Sequence, residues 1–343
     1  MVTQFEAELN EDVYVNAEVL RSKKSTFSGH ASMLQADEVV CSIKIGEGDS
    51  GVVYKGTYRG STVVEKRLKM PSSQMSESME KALQKVATRM SSLRHPNTVL
   101  FMGVCLRDQE FCIVSEYCSR GSLYDILRRY QLRSESGFLD DKSTQLHWSL
   151  RCRLALGAAR GLLYLHSASP PLVHGQLTSL NILVDDSWNA KLGDFGTQKV
   201  SQAISTHSEA RRKAPRTRLP YWTAPEVFKE GQDSVETTGT TPQGLDVYSF
   251  GIILWELATC ETPYETFQTY EELRRFVLTG QRPSVKPGSC PMGWAQLMTK
   301  CWSQKPQRRP AAAEIVATLE ELSRTEPMMQ KKKSSKKKRR SKK

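Results

Sequence analysis

No stretch of this 343-residue chain is both long and apolar. The most hydrophobic run, around Phe250–Ala258, is interrupted by Glu256 and falls well short of the ~20 residues a bilayer-spanning helix requires. No transmembrane segment is therefore expected. Eight cysteines are present, but none are spaced C-x-x-C and no signal-peptide pattern precedes them. That argues against a paired metal knuckle or a disulfide framework and points to free thiols in a reducing, intracellular compartment. Internal repeats are also missing. The first 20 residues lack any Lys or Arg while carrying five acids, and the last 13 residues lack any acid.

Charge is accordingly concentrated at one end. Of 49 Lys and Arg, 10 sit in the terminal run KKKSSKKKRRSKK, which leaves 39 against 37 acids elsewhere. The net charge of +12 belongs to this tail and not to the rest of the chain. Such a run cannot pack in a core and repels itself, so residues 327–343 are expected to be a disordered polybasic tail. Lys331–Lys343 could be drawn to anionic membrane lipid or nucleic acid, or act as a nuclear-localisation signal. A cytoplasmic protein, with nuclear or membrane-surface association through the tail, is the expected location.

Residues 1–37 are polar, weakly patterned and expected to be a flexible extension. From Val39 the texture changes. VVCSIKIGEGDSGVVYKGTYRGSTVVEKRL alternates short β-branched runs with glycine clusters, which predicts three antiparallel strands. Met79, Leu83, Val86, Met90 and Leu93 recur at helical spacing over residues 75–93. Beyond the strand-like FCIVSEYC the chain turns helical. Arg151 to His166 carries Leu154, Ala158, Leu162 and Leu165 on one stripe, and DVYSFGIILWELAT is apolar enough for a buried helix. These patterns divide the chain into a small β-rich part, 38–118, and a larger α-rich part, 119–326.

Gly46, Gly48 and Gly51, followed by Val53, form GxGxxG between two strand-like runs and not ahead of a helix. A dinucleotide-binding turn needs strand then helix, so the hairpin context suits either a flap laid over phosphates or an ordinary glycine-rich hairpin. Lys66 follows on the next strand. GDFG (Gly193–Gly196), APE (Ala224–Glu226), DVYSFG from Asp246 and CWSQKPQRRP ending at Pro310 come later, in that order.

Taken together these motifs resemble the eukaryotic protein kinase superfamily over roughly Glu38 to Ser323. LRHPNTVLFMGVC and DVYSFGIILWELAT look most like the tyrosine-kinase-like group, near the Raf and mixed-lineage kinases. HGQLTSLN with WTAPE is also similar to the kinase-homology domains of receptor guanylyl cyclases. The resemblance implies a bilobal α+β fold: a small antiparallel sheet with one main helix, then a larger helical lobe. It also implies ATP and Mg²⁺ as cofactors in a cleft between lobes. The implied nucleotide contacts are Gly46, Gly48, Gly51, Val53, Val64, Lys66, Ser115, Glu116, Cys118 and Leu183, with Asn181 and Asp194 as metal ligands. Met90, Phe101, His174 and Phe195 match a hydrophobic stack anchored by Asp246, and Glu226 with Arg309 match a buried ion pair.

Other positions depart from the family pattern. Its loop H-R-D-L-K-x-x-N reads His174-Gly175-Gln176-Leu177-Thr178-Ser179-Leu180-Asn181 here. Gln176 stands at the catalytic-base position, and a primary amide has essentially no basicity near neutral pH. Thr178 replaces the loop lysine and Gly175 the arginine that pairs with a phosphorylated activation segment. Val86 stands where the family's main helix places a Glu, while Glu77 and Glu80 lie on other faces. Asp49 and Ser50 set a negative charge and a small side chain at the glycine-loop tip, and Val64 adds bulk above the adenine position. The expected function is thus a pseudokinase: a nucleotide-binding allosteric or scaffolding module whose partners are signalling proteins or an active kinase. The alternative is a low-activity serine/threonine kinase.

Overall fold

The computed structural model describes residues 33–48, 51–68, 85, 87–107, 110–135, 146–195, 220–230, 241–286 and 288–325. The chain divides into two compact units. The first comprises Met1–Met70, Ala87–Ser92 and Phe101–Ser115, and the second comprises Pro71–Val86, Leu93–Leu100 and Glu116–Lys343.

The first unit is built on an antiparallel sheet of β1 (Val39–Gly48), β2 (Gly51–Tyr58), β3 (Ser61–Leu68), β4 (Phe101–Arg107) and β5 (Glu110–Glu116), in the order β1-β2-β3-β5-β4. The three predicted strands are β1 to β3. Arg59 and Gly60, at φ 47° and 80°, make the tight β2–β3 turn, where a glycine relieves the left-handed backbone. Alternation along β3 buries Val63 and Glu65 and half-exposes Val64 and Lys66. Val39, Tyr58, Val63, Cys105, Cys112 and Val114 form a core on one side of the sheet, with Leu34, Ala36, Cys41 and Met102 packed against it. The described residues include Met33 to Asp37, inside the expected flexible extension. Leu34 donates its N–H to the Val104 carbonyl at 2.8 Å, and Ala36–Glu38 form a 3₁₀ turn. Leu34 and Ala36 supply the apolar cover this face needs. Of the predicted helix over 75–93, residues 87–91 are described and are helical (α1), with Met90 buried.

The second unit is mainly helical. A small sheet of β6 (Gly121–Ser122), β7 (Ile182–Val184) and β8 (Ala190–Leu192) accompanies α2 (Leu123–Glu135) and α3 (Trp148–His166). Next come α4 (Pro225–Glu230), α5 (Pro242–Thr259), α6 (Tyr270–Leu278), α7 (Met292–Cys301) and a last helix, α8, over 312–325. Ser122 caps α2, its hydroxyl accepting from the Asp125 N–H at 3.1 Å. Thr269 and Glu272 form a capping box on α6. Pro242 opens α5 at a position where its missing N–H costs nothing, and Cys260 closes it at φ 62°. From Val247 to Ala258 every residue of α5 is buried, so it is the core helix its composition predicts. Arg151 of α3 reaches the carbonyls at the end of α5, donating to Leu257 and Ala258 at 2.7 and 2.8 Å. Arg309 clasps Glu226 through both guanidinium Nη atoms, one at 2.8 Å, and also donates to the Gly244 carbonyl. Among the described residues no helix is long and apolar enough to cross a membrane.

Candidate functional site

Within the first unit, Val53 lies directly opposite Lys66 and Lys55 opposite Val64. Period two therefore gathers Val53, Val64 and Lys66 on one face of the β2–β3 hairpin. Glu65 turns the other way. It is fully buried, held by Arg67 (Nε to Oε1, 2.7 Å) and Arg107 (Nη2 to Oε2, 3.1 Å). Gly46 pairs with Val53, and Gly48 with Gly51. The three glycines are not equivalent. A Cβ on Gly48 would meet nothing within 4 Å, whereas one on Gly51 would lie 2.0 Å from the Arg67 carbonyl oxygen. The close approach of β3 thus demands glycine at 51 whether or not a phosphate lies nearby. Ser115 ends the unit, half-buried and opposite Phe101. Asp49, Ser50, Glu77, Glu80 and Val86 lie outside the described residues.

In the second unit the segment after Ser115 is tied down by its own side chains. Glu116 donates its N–H to the Leu100 carbonyl at 3.0 Å, and its carboxylate accepts from Leu100 N–H at 2.7 Å and from Lys191 Nζ at 2.8 Å. Its side chain is committed to this bracing. Cys118 is buried, its carbonyl accepts from Gly121 N–H at 3.1 Å, and burial pushes its thiol pKa up to about 12. Leu183 sits in β7 opposite Ser122 and Lys191.

The loop 174–181 hangs from Asp246 of α5. One carboxylate oxygen accepts from His174 N–H (2.8 Å) and lies 2.9 Å from His166 Nε2, while the other accepts from Gly175 N–H at 2.9 Å. Gly175, at φ 77°, lets the chain turn so that both amides reach the same carboxylate. His174 is fully enclosed, and this burial holds its imidazole below the ordinary range. Asn181 donates Nδ2–H to the Gln176 carbonyl at 2.8 Å, and its own carbonyl accepts from Gly193 N–H at 2.8 Å. Its side-chain Oδ1 is an oxygen of the kind Mg²⁺ takes. Asp194 adopts φ 57°, a left-handed conformation that costs a non-glycine residue about 1–2 kcal/mol, and Phe195 beside it is buried. The side chain of Gln176 is exposed. Thr178 Oγ1 is buried and has no hydrogen-bond partner among the described residues.

Beneath the loop lies a group that its sequence does not mark as part of a site. Glu256 of α5 is fully buried. It accepts from Ser179 Oγ and Trp222 Nε1, each at 2.8 Å, and Arg128 Nη2 lies 3.8 Å away. One carboxylate therefore joins the loop, the Tyr221–Trp222 turn ahead of APE, and α2. Its only sequence signal is a single acid within the apolar run Phe250–Ala258.

The family model for protein tyrosine and serine/threonine kinases matches residues 39–319. The chain belongs to the protein kinase family. It is 35% identical over 285 residues to the probable serine/threonine-protein kinase drkA of Dictyostelium discoideum, an alignment covering 83% of this chain and 40% of that protein. The drkB and drkD proteins of the same organism, also named probable serine/threonine-protein kinases, are 33% and 37% identical over 88% and 82% of this chain. The chain spans about two-fifths or less of the length of these relatives.

In this kinase domain several supporting contacts are present. Asp246, the Glu226–Arg309 pair and the buried His174 and Phe195 hold the second unit, and Met90 and Phe101 are buried in the first. The loop these supports hold offers an amide at 176 and a hydroxyl at 178. Neither can accept a proton at neutral pH or supply a positive charge.

Proposed function

We propose that this kinase domain is a pseudokinase of the tyrosine-kinase-like group, a nucleotide-binding module that acts on partner proteins by allostery or scaffolding. The observation that carries the reading is Gln176: an exposed primary amide at the base position, on a loop whose supporting hydrogen bonds are intact. A missing base alone costs about 10² to 10⁴ in rate. Against typical kinase turnover of about 1–100 s⁻¹, that leaves roughly 10⁻⁴ to 1 s⁻¹. Thr178 and Val86 lower it further, since phosphoryl transfer relies on positioned charge.

The residues fit a nucleotide with its metal. Asn181 and Asp194 would hold Mg²⁺, which supplies charge neutralisation on the phosphates when bound. Lys66 would contact phosphate, and Val53, Val64, Leu183 and the main chain of Glu116 and Cys118 would contact the base. Gly46 and Gly48 would let the β1–β2 hairpin approach the phosphates, and Ser115 would be a small gatekeeper. Val64 and Asp49 weaken this binding. The division into an N-terminal extension 1–37, 38–118 and 119–326, and a tail from 327 that meets anionic lipid or nucleic acid, belong to the same proposal.

A second reading, a low-activity serine/threonine kinase, is favoured by the relatives' names as probable serine/threonine kinases and by the presence of Lys66, Asn181 and Asp194. One preparation decides between them. Phosphotransfer below about 1 s⁻¹, unaffected by Lys66→Met, supports the pseudokinase, whereas turnover lost in Lys66→Met supports the kinase. ATP at about 100 times its Kd adds about 2.7 kcal/mol, roughly 5–11 °C in Tm, and weaker occupancy adds less. An ATP shift that requires Mg²⁺ and shrinks in Asp194→Ala supports nucleotide binding. A Tm that ATP does not move, in any variant, removes the nucleotide from the proposal.

A further inference from the structure

The core face of the first unit's sheet holds a cluster that phosphoryl transfer does not use. Cys105 and Cys112 lie directly opposite one another on β4 and β5, and the Glu65 carboxylate of β3 lies near both. The two sulfurs and a Glu65 oxygen all lie within 4.8 Å of one another, and all three residues are 0% exposed. Cys41 of β1 packs against the same cluster, where burial and the nearby Glu65 carboxylate hold its thiol above the ordinary range. Elsewhere this core is made of aliphatic and aromatic side chains such as Val39, Val63 and Val114. A carboxylate among three thiols is not what an apolar core selects, because a buried charge costs several kcal/mol unless it is answered.

Here the charge is answered twice. Arg107 contacts both carboxylate oxygens at 3.1–3.3 Å and Arg67 contacts one at 2.7 Å, so with neutral thiols the cluster carries one positive charge in excess. A divalent cation with three thiolates and the carboxylate would carry −2, and the two guanidiniums would bring the assembly to zero. Ligand chemistry decides the ion: sulfur donors select zinc-like cations over calcium or magnesium. Tetrahedral bonds of about 2.3 Å to sulfur and 2.0–2.2 Å to oxygen imply ligand separations of about 3.5–3.8 Å. The spacing of Glu65, Cys105 and Cys112 closes to that by side-chain shifts of about an ångström, and Cys41, outside that 4.8 Å group, would have to swing in as the fourth ligand. Arg67 already rests over the Tyr54 ring at 4.3 Å and is one-fifth exposed, so it can yield its share of the carboxylate without losing a partner. Cys41 is only partly buried, which gives an ion a way in.

We infer that Cys41, Cys105, Cys112 and Glu65 form a binding site for a single thiophilic divalent cation of zinc type. Bound there, the ion would cross-link β1, β3, β4 and β5, immediately beside Lys66 in sequence.

The test uses the full chain, reduced and stripped of metal. Zinc is titrated in competition with a chromophoric chelator, and cadmium is added to read the ultraviolet thiolate-to-metal charge-transfer band. The expected result is one ion per chain with a cadmium–thiolate band. Affinity should fall at least about 100-fold in Cys112→Ser, by analogy with the 10–100-fold lost when an outer-shell partner is removed. Cys290→Ser, outside the cluster, should bind as the wild type does. Should Cys112→Ser unfold, alkylation of the wild type followed by mass spectrometry replaces it: zinc should slow labelling of Cys105 and Cys112 and leave Cys290 unchanged. Absence of the charge-transfer band, equal affinity in the variants, or labelling rates indifferent to zinc would each overturn the inference. None of these readouts depends on ATP or phosphotransfer, so they stand apart from the proposed function.

Discussion

Replacing Gly51 by alanine would set a methyl group 2.0 Å from the Arg67 carbonyl oxygen, 2.9 Å from its carbon and 3.2 Å from Leu68 Cα. All three are backbone atoms of the paired strand β3, so no side chain can swing aside. Restoring an ordinary contact requires β2 and β3 to part by more than an ångström at a point where Gly51 and Leu68 are ladder partners. Overpacking of this kind costs about 1–3 kcal/mol. Taking about 2 kcal/mol, Tm should fall by roughly 4–8 °C, at the 2–4 °C per kcal/mol found for chains of this size class. Gly48→Ala is the matched control. A Cβ there meets nothing within 4 Å, and stability should stay within about ±0.5 kcal/mol of the wild type. Thermal melts followed by circular dichroism, with and without Mg-ATP, separate the roles. Gly51→Ala should lower the baseline Tm, whereas Gly48→Ala should leave the baseline alone and reduce only the ATP-induced shift. A Gly51→Ala protein that melts within 1 °C of the wild type would refute the steric reasoning.

Glu256→Gln keeps the shape of the hub but presents an amide N–H₂ to one of two donors, Ser179 Oγ–H or Trp222 Nε1–H. Leaving a buried donor unmatched costs about 1–3 kcal/mol, so melts should show the loss and Trp222 fluorescence should shift; an unchanged melt refutes the hub. Because burial holds His174 below the ordinary imidazole value near 6.5, the unfolded chain takes up a proton there that the folded chain refuses. Stability should therefore fall as pH drops below about 6.5, by at most about 1.4 kcal/mol per unit from this group, until the folded value is reached. His174→Phe should flatten the slope, with His95, similarly depressed by burial, retaining its own part. Restoring Gln176→Asp alone should recover little phosphotransfer, and the triple change with Thr178→Lys and Val86→Glu should recover more, as read by single-turnover assays. Ending the chain at Gln330 should abolish salt-sensitive binding to anionic vesicles; equal binding by both forms would leave the basic run without that role.

Elements defined by local patterns were legible in the sequence. The β-branched runs around the glycines predict β1 to β3, Leu154, Ala158, Leu162 and Leu165 predict α3, and the apolar DVYSFGIILWELAT predicts the buried α5. Family motifs placed Asp246 under the loop and Glu226 against Arg309, and both arrangements are present. The packing of Leu34 and Ala36 against the sheet was not legible, because polar residues surround these two apolar side chains.

What the sequence alone determined, then, is the chemistry this chain has available: a family fold, and at Gln176 and Thr178 a loop without base or cation. Residue identity suffices for that, since no folding can make an amide basic. Which charges meet was decided only in three dimensions. Glu65 finds Arg107 and two cysteines 40 or more positions away, Glu116 finds Lys191, and Glu256 finds Ser179 and Trp222. No periodicity encodes such pairs. A buried carboxylate takes whatever donors the packed elements bring within about 3 Å, and strand register and helix packing settle which those are.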